Sequence, residues 1–169
     1  DQTECLDCSV GTFSPETRAI KCEKCPVGWV NDVSGSFKCV ICVAGQFQAL
    51  VGNTSCINCP AGWSAGTEGN SGCTKCGYGT ISNKKHGSDT CVDCLKGQMV
   101  DMKTDQTVCF DCSVGTFSAE NKAIECEKCP IGWINPMSGS FKCAICDAGQ
   151  FQPLEGKTSC TNCPIGWAN

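Results

Sequence analysis

The sequence predicts a small disulfide-rich fold: an elongated rod or solenoid of tandem 17–18-residue units, made of short β-strands and turns with little or no helix. Three observations predict it. Twenty of the 169 residues are cysteine, about twelve per cent, above the roughly 8–10% at which a short chain reads as a disulfide scaffold. Every cysteine belongs to a Cys-x-x-Cys pair, and the pairs begin at Cys5, Cys22, Cys39, Cys56, Cys73, Cys91, Cys109, Cys126, Cys143 and Cys160, in steps of 17 or 18 residues. Large aliphatic residues hold no helical period, while nineteen glycines and seven prolines punctuate the chain. A unit this short cannot bury a core alone and must lean on its sequence neighbours.

A slower rhythm lies over the first. After the odd-numbered pairs the chain reads SVGTFS, VAGQFQ, GYGTIS, SVGTFS and DAGQFQ, with Phe13, Phe47, Ile81, Phe117 and Phe151 two places beyond a glycine. After the even pairs it reads PVGW, PAGW, LKGQ, PIGW and PIGW, which gives Trp29, Trp63, Trp133 and Trp167, with Gln98 departing. The glycine of each motif, as in Gly11, Gly28, Gly45 and Gly62, is expected to take a positive φ or to admit a close backbone approach. Phe13, Trp29, Phe47, Trp63, Phe117, Trp133, Phe151 and Trp167 are the candidate packing and assembly residues, covering disulfides with one face and leaving the other partly exposed.

Six units make a super-repeat of 104 residues, the step from Cys5 to Cys109. Residues 5–65 and 109–169 are identical at 43 of 61 aligned positions. The expected organisation is a first super-repeat over 1–108 and a truncated second over 109–169, a fragment of a longer array. There is no signal peptide, no run of eighteen apolar residues and no lipidation signal, so no membrane insertion is expected in this segment.

Cysteine pairs at this spacing also fit four-cysteine zinc sites. Thirteen basic against seventeen acidic residues leave a net charge of −4, the wrong sign for a nucleic-acid array, and the unbroken spacing lacks the linkers of zinc modules. A thioredoxin-like redox pair needs a βαβ setting that is absent. Structural disulfides are therefore expected, with no metal and no cofactor. Disulfides in this number require an oxidising compartment, which places the protein outside the cell or on its surface. Asn53-Thr54-Ser55 is a glycosylation acceptor, whose counterpart in the second super-repeat is Lys157.

The pattern C-x-x-C-x-x-G-x-F followed by C-x-x-C-P-x-G resembles the ephrin-receptor-like cysteine-rich repeat over the whole chain. Each loop is similar to the A-type loop of the tumour necrosis factor receptors. Trp29 and its equivalents stand where that family often has tyrosine or a small residue, so no ligand-binding residue is carried over. The A-type loop implies that the second cysteine of one pair bonds the first of the next: Cys8–Cys22, Cys25–Cys39, Cys42–Cys56, Cys59–Cys73, Cys76–Cys91, Cys94–Cys109, Cys112–Cys126, Cys129–Cys143 and Cys146–Cys160. Cys5 and Cys163 then pair beyond the fragment. The rival is a crossed arrangement, first to third and second to fourth within each 34-residue module, for which the alternation of Phe and Trp speaks. Each loop closure of about fifteen residues is worth roughly 3 kcal/mol in the chain-entropy model, and ten units folded back on themselves are expected to span on the order of 100 Å.

No catalytic constellation is present, and an enzyme is not expected. His86, the one histidine, lies in the polar stretch SNKKHGSDT and cannot serve a repeat. Asp7, Asp93 and Asp111 sit between cysteines of a pair, but nothing around them resembles a calcium loop. Two function classes remain. The first is a structural extracellular rod that self-associates into a fibril, appendage or surface coat. The second is a spacer, stalk or ligand-binding ectodomain of a surface receptor or antigen. A ligand-binding module breaks its repeat where the ligand docks, and this chain keeps its repeat.

Overall fold

The computed structural model describes residues 4–168. Within them there is no helix, and every strand is two or three residues long. The strands pair as consecutive antiparallel hairpins, one for each cysteine-bounded loop. Thr12–Phe13 pairs with Glu23–Lys24, Trp29–Val30 with Val40–Ile41, Gln46–Phe47 with Ile57–Asn58, and Trp63–Ser64 with Thr74–Lys75. Gln98–Met99 pairs with Phe110–Asp111, Thr116–Phe117 with Glu127–Lys128, Trp133–Ile134 with Ala144–Ile145, and Gln150–Phe151 with Thr161–Asn162. In these eight hairpins the first strand follows a turn glycine, and the second is the pair of residues between two cysteines. Such ribbons are too short to be stable alone.

The chain divides into two compact units, Asp1–Cys76 with Ser82–Cys91, and Gly77–Ile81 with Val92–Asn169. Inside each unit the same backbone bonds tie every loop to the next. In the first, the N–H of Gly11, Gly28 and Gly45 donates to the carbonyls of Asn31, Gln48 and Ala65 at 2.6–2.8 Å. The N–H of Gly35, Gly52, Gly69 and Gly87, at the loop tips, donates to the carbonyls of Cys8, Cys25, Cys42 and Cys59 at 2.8 Å. In the second unit Gly97, Gly115 and Gly132 donate to Ser118, Asn135 and Gln152, while the tips Lys122, Gly139 and Gly156 donate to Cys94, Cys112 and Cys129. Backbone polar groups that short hairpins leave unpaired thus find partners in the neighbouring loop, as burial requires.

A longer contact reaches two loops along. A Cβ at Gly28 would lie closer than 3.0 Å to the carbonyl oxygen of the Gly69 tip, and one at Gly97 would meet the Gly139 carbonyl in the same way. Both glycines hold a positive φ, +77° and +82°, so conformation and space each demand glycine there. Gly11, Gly45 and Gly115 repeat the arrangement with Gly52, Gly87 and Gly156, and Gly79 does so with Lys122. In these six cases, each within one unit, a loop rests on the two before it.

The interior is made of sulfur and of polar side chains. Cys25, Cys42, Cys59, Cys94 and Cys129 are fully buried, with Val30, Ala65 and Val100 among the few buried aliphatics. Asn31, Gln48, Ser82, Ser118 and Asn135 are buried as well. All of these polar residues stand six places after the second cysteine of a pair, the position that Ala65 and Val100 also hold.

Candidate functional site: the disulfide ladder and its aromatic positions

Nine disulfides join Cys8–Cys22, Cys25–Cys39, Cys42–Cys56, Cys59–Cys73, Cys76–Cys91, Cys94–Cys109, Cys112–Cys126, Cys129–Cys143 and Cys146–Cys160. The loops they close span 14 residues, or 15 in the two longer units. The order is sequential, second cysteine to the next first. The hairpin register makes the bond possible, because the two strands of a loop hold its cysteines at Cα separations of 5.5–5.8 Å, inside the usual range for a disulfide. In most rungs the leading cysteine is buried and its partner is closer to water, as with Cys59 and Cys73. Cys5 and Cys163 are free. Among the described residues no group of three or more His, Cys, Asp or Glu is arranged to hold a metal ion.

The aromatic residues occupy two different places on equivalent strands. Each tryptophan follows its glycine directly, so Trp29 pairs with Ile41, Trp63 with Lys75 and Trp133 with Ile145. Each phenylalanine stands one place later, so Phe13 pairs with Glu23, Phe47 with Ile57, Phe117 with Glu127 and Phe151 with Thr161. Successive residues of a strand face opposite ways, so the two kinds of ring lie on opposite faces of their ribbons. Phe13, Phe47 and Phe117 are half-buried. Trp29, Trp63 and Trp133 are 37–39% exposed, Phe151 is 38% exposed and Trp167 is 76% exposed, so each of these rings offers part of its surface to solvent.

Other apolar surface surrounds them. Phe37 and Phe141 are exposed, and each carries the ammonium of the next lysine, Lys38 or Lys142, at 5.5 and 5.7 Å from its ring centre. Trp133, Met137, Phe141, Lys142 and Ile145 line a shallow groove of about 620 Å³. Asn53 is partly buried: its side-chain amide donates to Gln48 Oε1 at 3.0 Å, and its carbonyl accepts from the Asn31 N–H.

The acidic residues between cysteines serve the loop tips. The Asp7 carboxylate lies against Gly35, Asp111 lies against Gly139 and accepts from Gln98 Nε2 at 3.0 Å, and Asp93 pairs with Lys122 Nζ at 3.3 Å. In the last case the tip is lysine at φ +65°, one of few non-glycine residues in the left-handed region, and the carboxylate meets its amine. Both partners are about half exposed, so the pair orients more than it stabilises. His86 is exposed.

The column six places after each second cysteine escapes a reading of residue type. Asn31 donates from Nδ2 to Thr12 C=O at 2.7 Å and accepts from Val33 N–H at 3.1 Å. Asn135 does the same with Thr116 and Met137. Gln48 Nε2 donates to Ser55 C=O at 2.7 Å while its Oε1 accepts from Leu50 N–H at 3.0 Å. These amides satisfy backbone groups that the turns leave open. The signal that points to them is the exact recurrence of Asn and Gln between the super-repeats, at Asn31 and Asn135, and at Gln48 and Gln152.

With this geometry in hand, a comparison with family models finds the tyrosine-protein kinase ephrin type A/B receptor-like model matching residues 1–38, 32–69, 97–142 and 135–168. No curated protein sequence matches the chain significantly.

Proposed function

Because the chain belongs to the tyrosine-protein kinase ephrin type A/B receptor-like family of cysteine-rich repeats, we propose that it is a structural segment of an extracellular or cell-surface protein whose disulfide-laddered units build a fibril, appendage or surface coat. The family suggests an extracellular structural or receptor-ectodomain module. The observation that favours the structural reading is the uniformity of the loop-to-loop bonding, in which tip after tip makes the same 2.8 Å bond to a cysteine carbonyl. A ligand site interrupts such a ladder. On this reading the chain performs no catalysis, needs no cofactor, binds no nucleic acid and carries a glycan on Asn53. No helix among the described residues is long and apolar enough to cross a membrane.

The partly exposed tryptophans supply lateral contacts, weak singly but additive along repeated units. Replacing Trp29, Trp63, Trp133 and Trp167 with serine is expected to keep the disulfide pattern and reduce association, read by sedimentation velocity and electron microscopy of the native material. Finding the full-length protein monomeric at high concentration and singly attached to a membrane favours instead a receptor stalk, the reading to which the family match itself lends weight.

A further inference from the structure

Among the positions at which the two super-repeats differ, one reverses the sign of a charge: Lys21 in the first corresponds to Glu125 in the second. The reversal stands on an apolar edge. Ile124 and Glu125 immediately precede Cys126, and Phe141 and Lys142 immediately precede Cys143, so the two dipeptides hold equivalent places on neighbouring loops. Those loops are tied by the bond from the Ser118 N–H to the Ser140 carbonyl. Further loops of the array flank them on both sides, Cys94–Cys109 before and Cys146–Cys160 after, yet Ile124 is 47% and Phe141 52% exposed. Glu125 and Lys142 are exposed as well, and the Lys142 ammonium sits 5.7 Å from the Phe141 ring centre. In the first super-repeat the same places hold Ile20-Lys21 and Phe37-Lys38, with Phe37 67% exposed and both charges positive.

Resting on the self-associating structural role proposed above, we infer that this edge of the second super-repeat pairs with the same edge of a second copy of the chain, antiparallel, about a two-fold axis. Charge selects the occupant. In that arrangement Ile124 of each copy meets Phe141 of the other, and Glu125 of each meets Lys142 of the other. Every alternative pairing of these edges brings like charges together. Two second-super-repeat edges laid parallel put Glu125 against Glu125 and Lys142 against Lys142. Two first-super-repeat edges oppose lysine to lysine in either orientation. A mixed pair sets Lys21 against Lys142 when antiparallel and Lys38 against Lys142 when parallel. The exposed apolar side chains supply the attraction. The charges, weak as stabilisers in water, fix orientation and register by penalising the other arrangements.

The test is sedimentation velocity of the natively folded chain over a range of concentration and salt, together with carbodiimide coupling of a mixture of isotope-labelled and unlabelled copies, read by peptide mass mapping. The expected result is association that weakens as salt is added, with an amide joining Glu125 of one copy to Lys142 of a differently labelled copy. Glu125→Lys and Lys142→Glu each weaken association by roughly fivefold or more. Mixing these two variants restores it, because an edge with two lysines then faces an edge with two glutamates, a repair that damage to the fold would not allow. The double variant Glu125→Lys with Lys142→Glu restores it as well. Lys21→Glu, which makes the first super-repeat's edge self-complementary, strengthens it. Unchanged association in both single variants, no recovery on mixing, or no mixed-label amide overturns the inference. Native filaments that persist unaltered in the single variants overturn it while leaving the fibre reading intact. Edges that pair as described in a protein that forms no filament do the reverse.

Discussion

Gly28 sets the scale of precision that single residues must meet. Its φ of +77° is costly for any side chain, and a methyl there collides with the Gly69 carbonyl. Gly28→Ala is expected to destabilise the first unit by about 2 kcal/mol or more, the sum of backbone strain and a clash that backbone cannot easily relieve. Gly72 is the matched control, with no positive φ and nothing within 4 Å. Gly72→Ala is expected to change stability by less than about 0.5 kcal/mol, and urea midpoints measure both. The buried amides make a second case. Asn135→Ala leaves the Thr116 carbonyl and the Met137 N–H without their side-chain partner, at a cost of about 1–3 kcal/mol. A third concerns Asp89. The Asn83 amide, donating to its carboxylate at 2.9 Å, holds the Asp89 carboxyl below its ordinary value, helped by its own backbone N–H and by the nearby Lys84 charge. A depressed folded value stabilises the fold above the unfolded pKa, and that contribution is lost as pH falls through the folded one. Asn83→Ala is expected to raise the Asp89 titration midpoint, followed by carboxyl NMR.

At the scale of the hairpin, covalent and non-covalent links protect one another unequally. Cys25 and Cys39 are both buried in the stack, whereas Cys22 is exposed and neither Cys146 nor Cys160 is fully covered. Reducing agent must reach a sulfur along the bond axis. Partial reduction of the native chain, with alkylation and mass mapping, is therefore expected to open Cys8–Cys22 and Cys146–Cys160 before Cys25–Cys39. Much of the hairpin was legible in the sequence. The spacing of the pairs and the likeness to the A-type loop implied the rungs, and the one-residue offset between Trp29 and Phe13 is visible in PVGW against SVGTF. The buried column was not legible, because Asn31, Gln48, Ala65, Ser82 and Val100 share no chemistry, only a place where the chain turns inward. The two-loop contact was not legible either. Its partners are 41 to 43 residues apart, as Gly28 and Gly69, Gly97 and Gly139, or Gly79 and Lys122 are, and where the tip is Lys122 even the glycine that marks it is gone.

For the molecule as a whole, the first quantity to measure is its sulfur balance. Nine bridges account for eighteen of twenty cysteines, so denatured, unreduced protein is expected to show at most two thiols in an Ellman titration and no stoichiometric zinc. Close to twenty thiols with bound zinc rejects the disulfide scaffold outright. Among the described residues there is no large apolar core, which makes the consequence of reduction severe. Each lost rung frees a loop whose interior is sulfur and hydrogen-bonded amides, so full reduction is expected to abolish the cooperative unfolding transition, seen as loss of the amide-exchange protection of Gly28 and Gly97.

The contact that reaches two loops ahead also sets a clock for biosynthesis. A chain emerging at about 5–20 residues per second delivers a new 17-residue unit roughly every one to three seconds. The loop of Gly28 has both its cysteines once Cys39 is out, yet the carbonyl that covers its glycine, that of Gly69, arrives 30 residues later. That is a delay of roughly 1.5 to 6 seconds, within the range of disulfide reshuffling. During that interval an incorrectly oxidised loop stays open to isomerase and can be rewritten; once the second following loop has seated, the choice is sealed. On this order of events each such loop is expected to seal only two units after it closes, which pulse-labelled and alkylated nascent chains check.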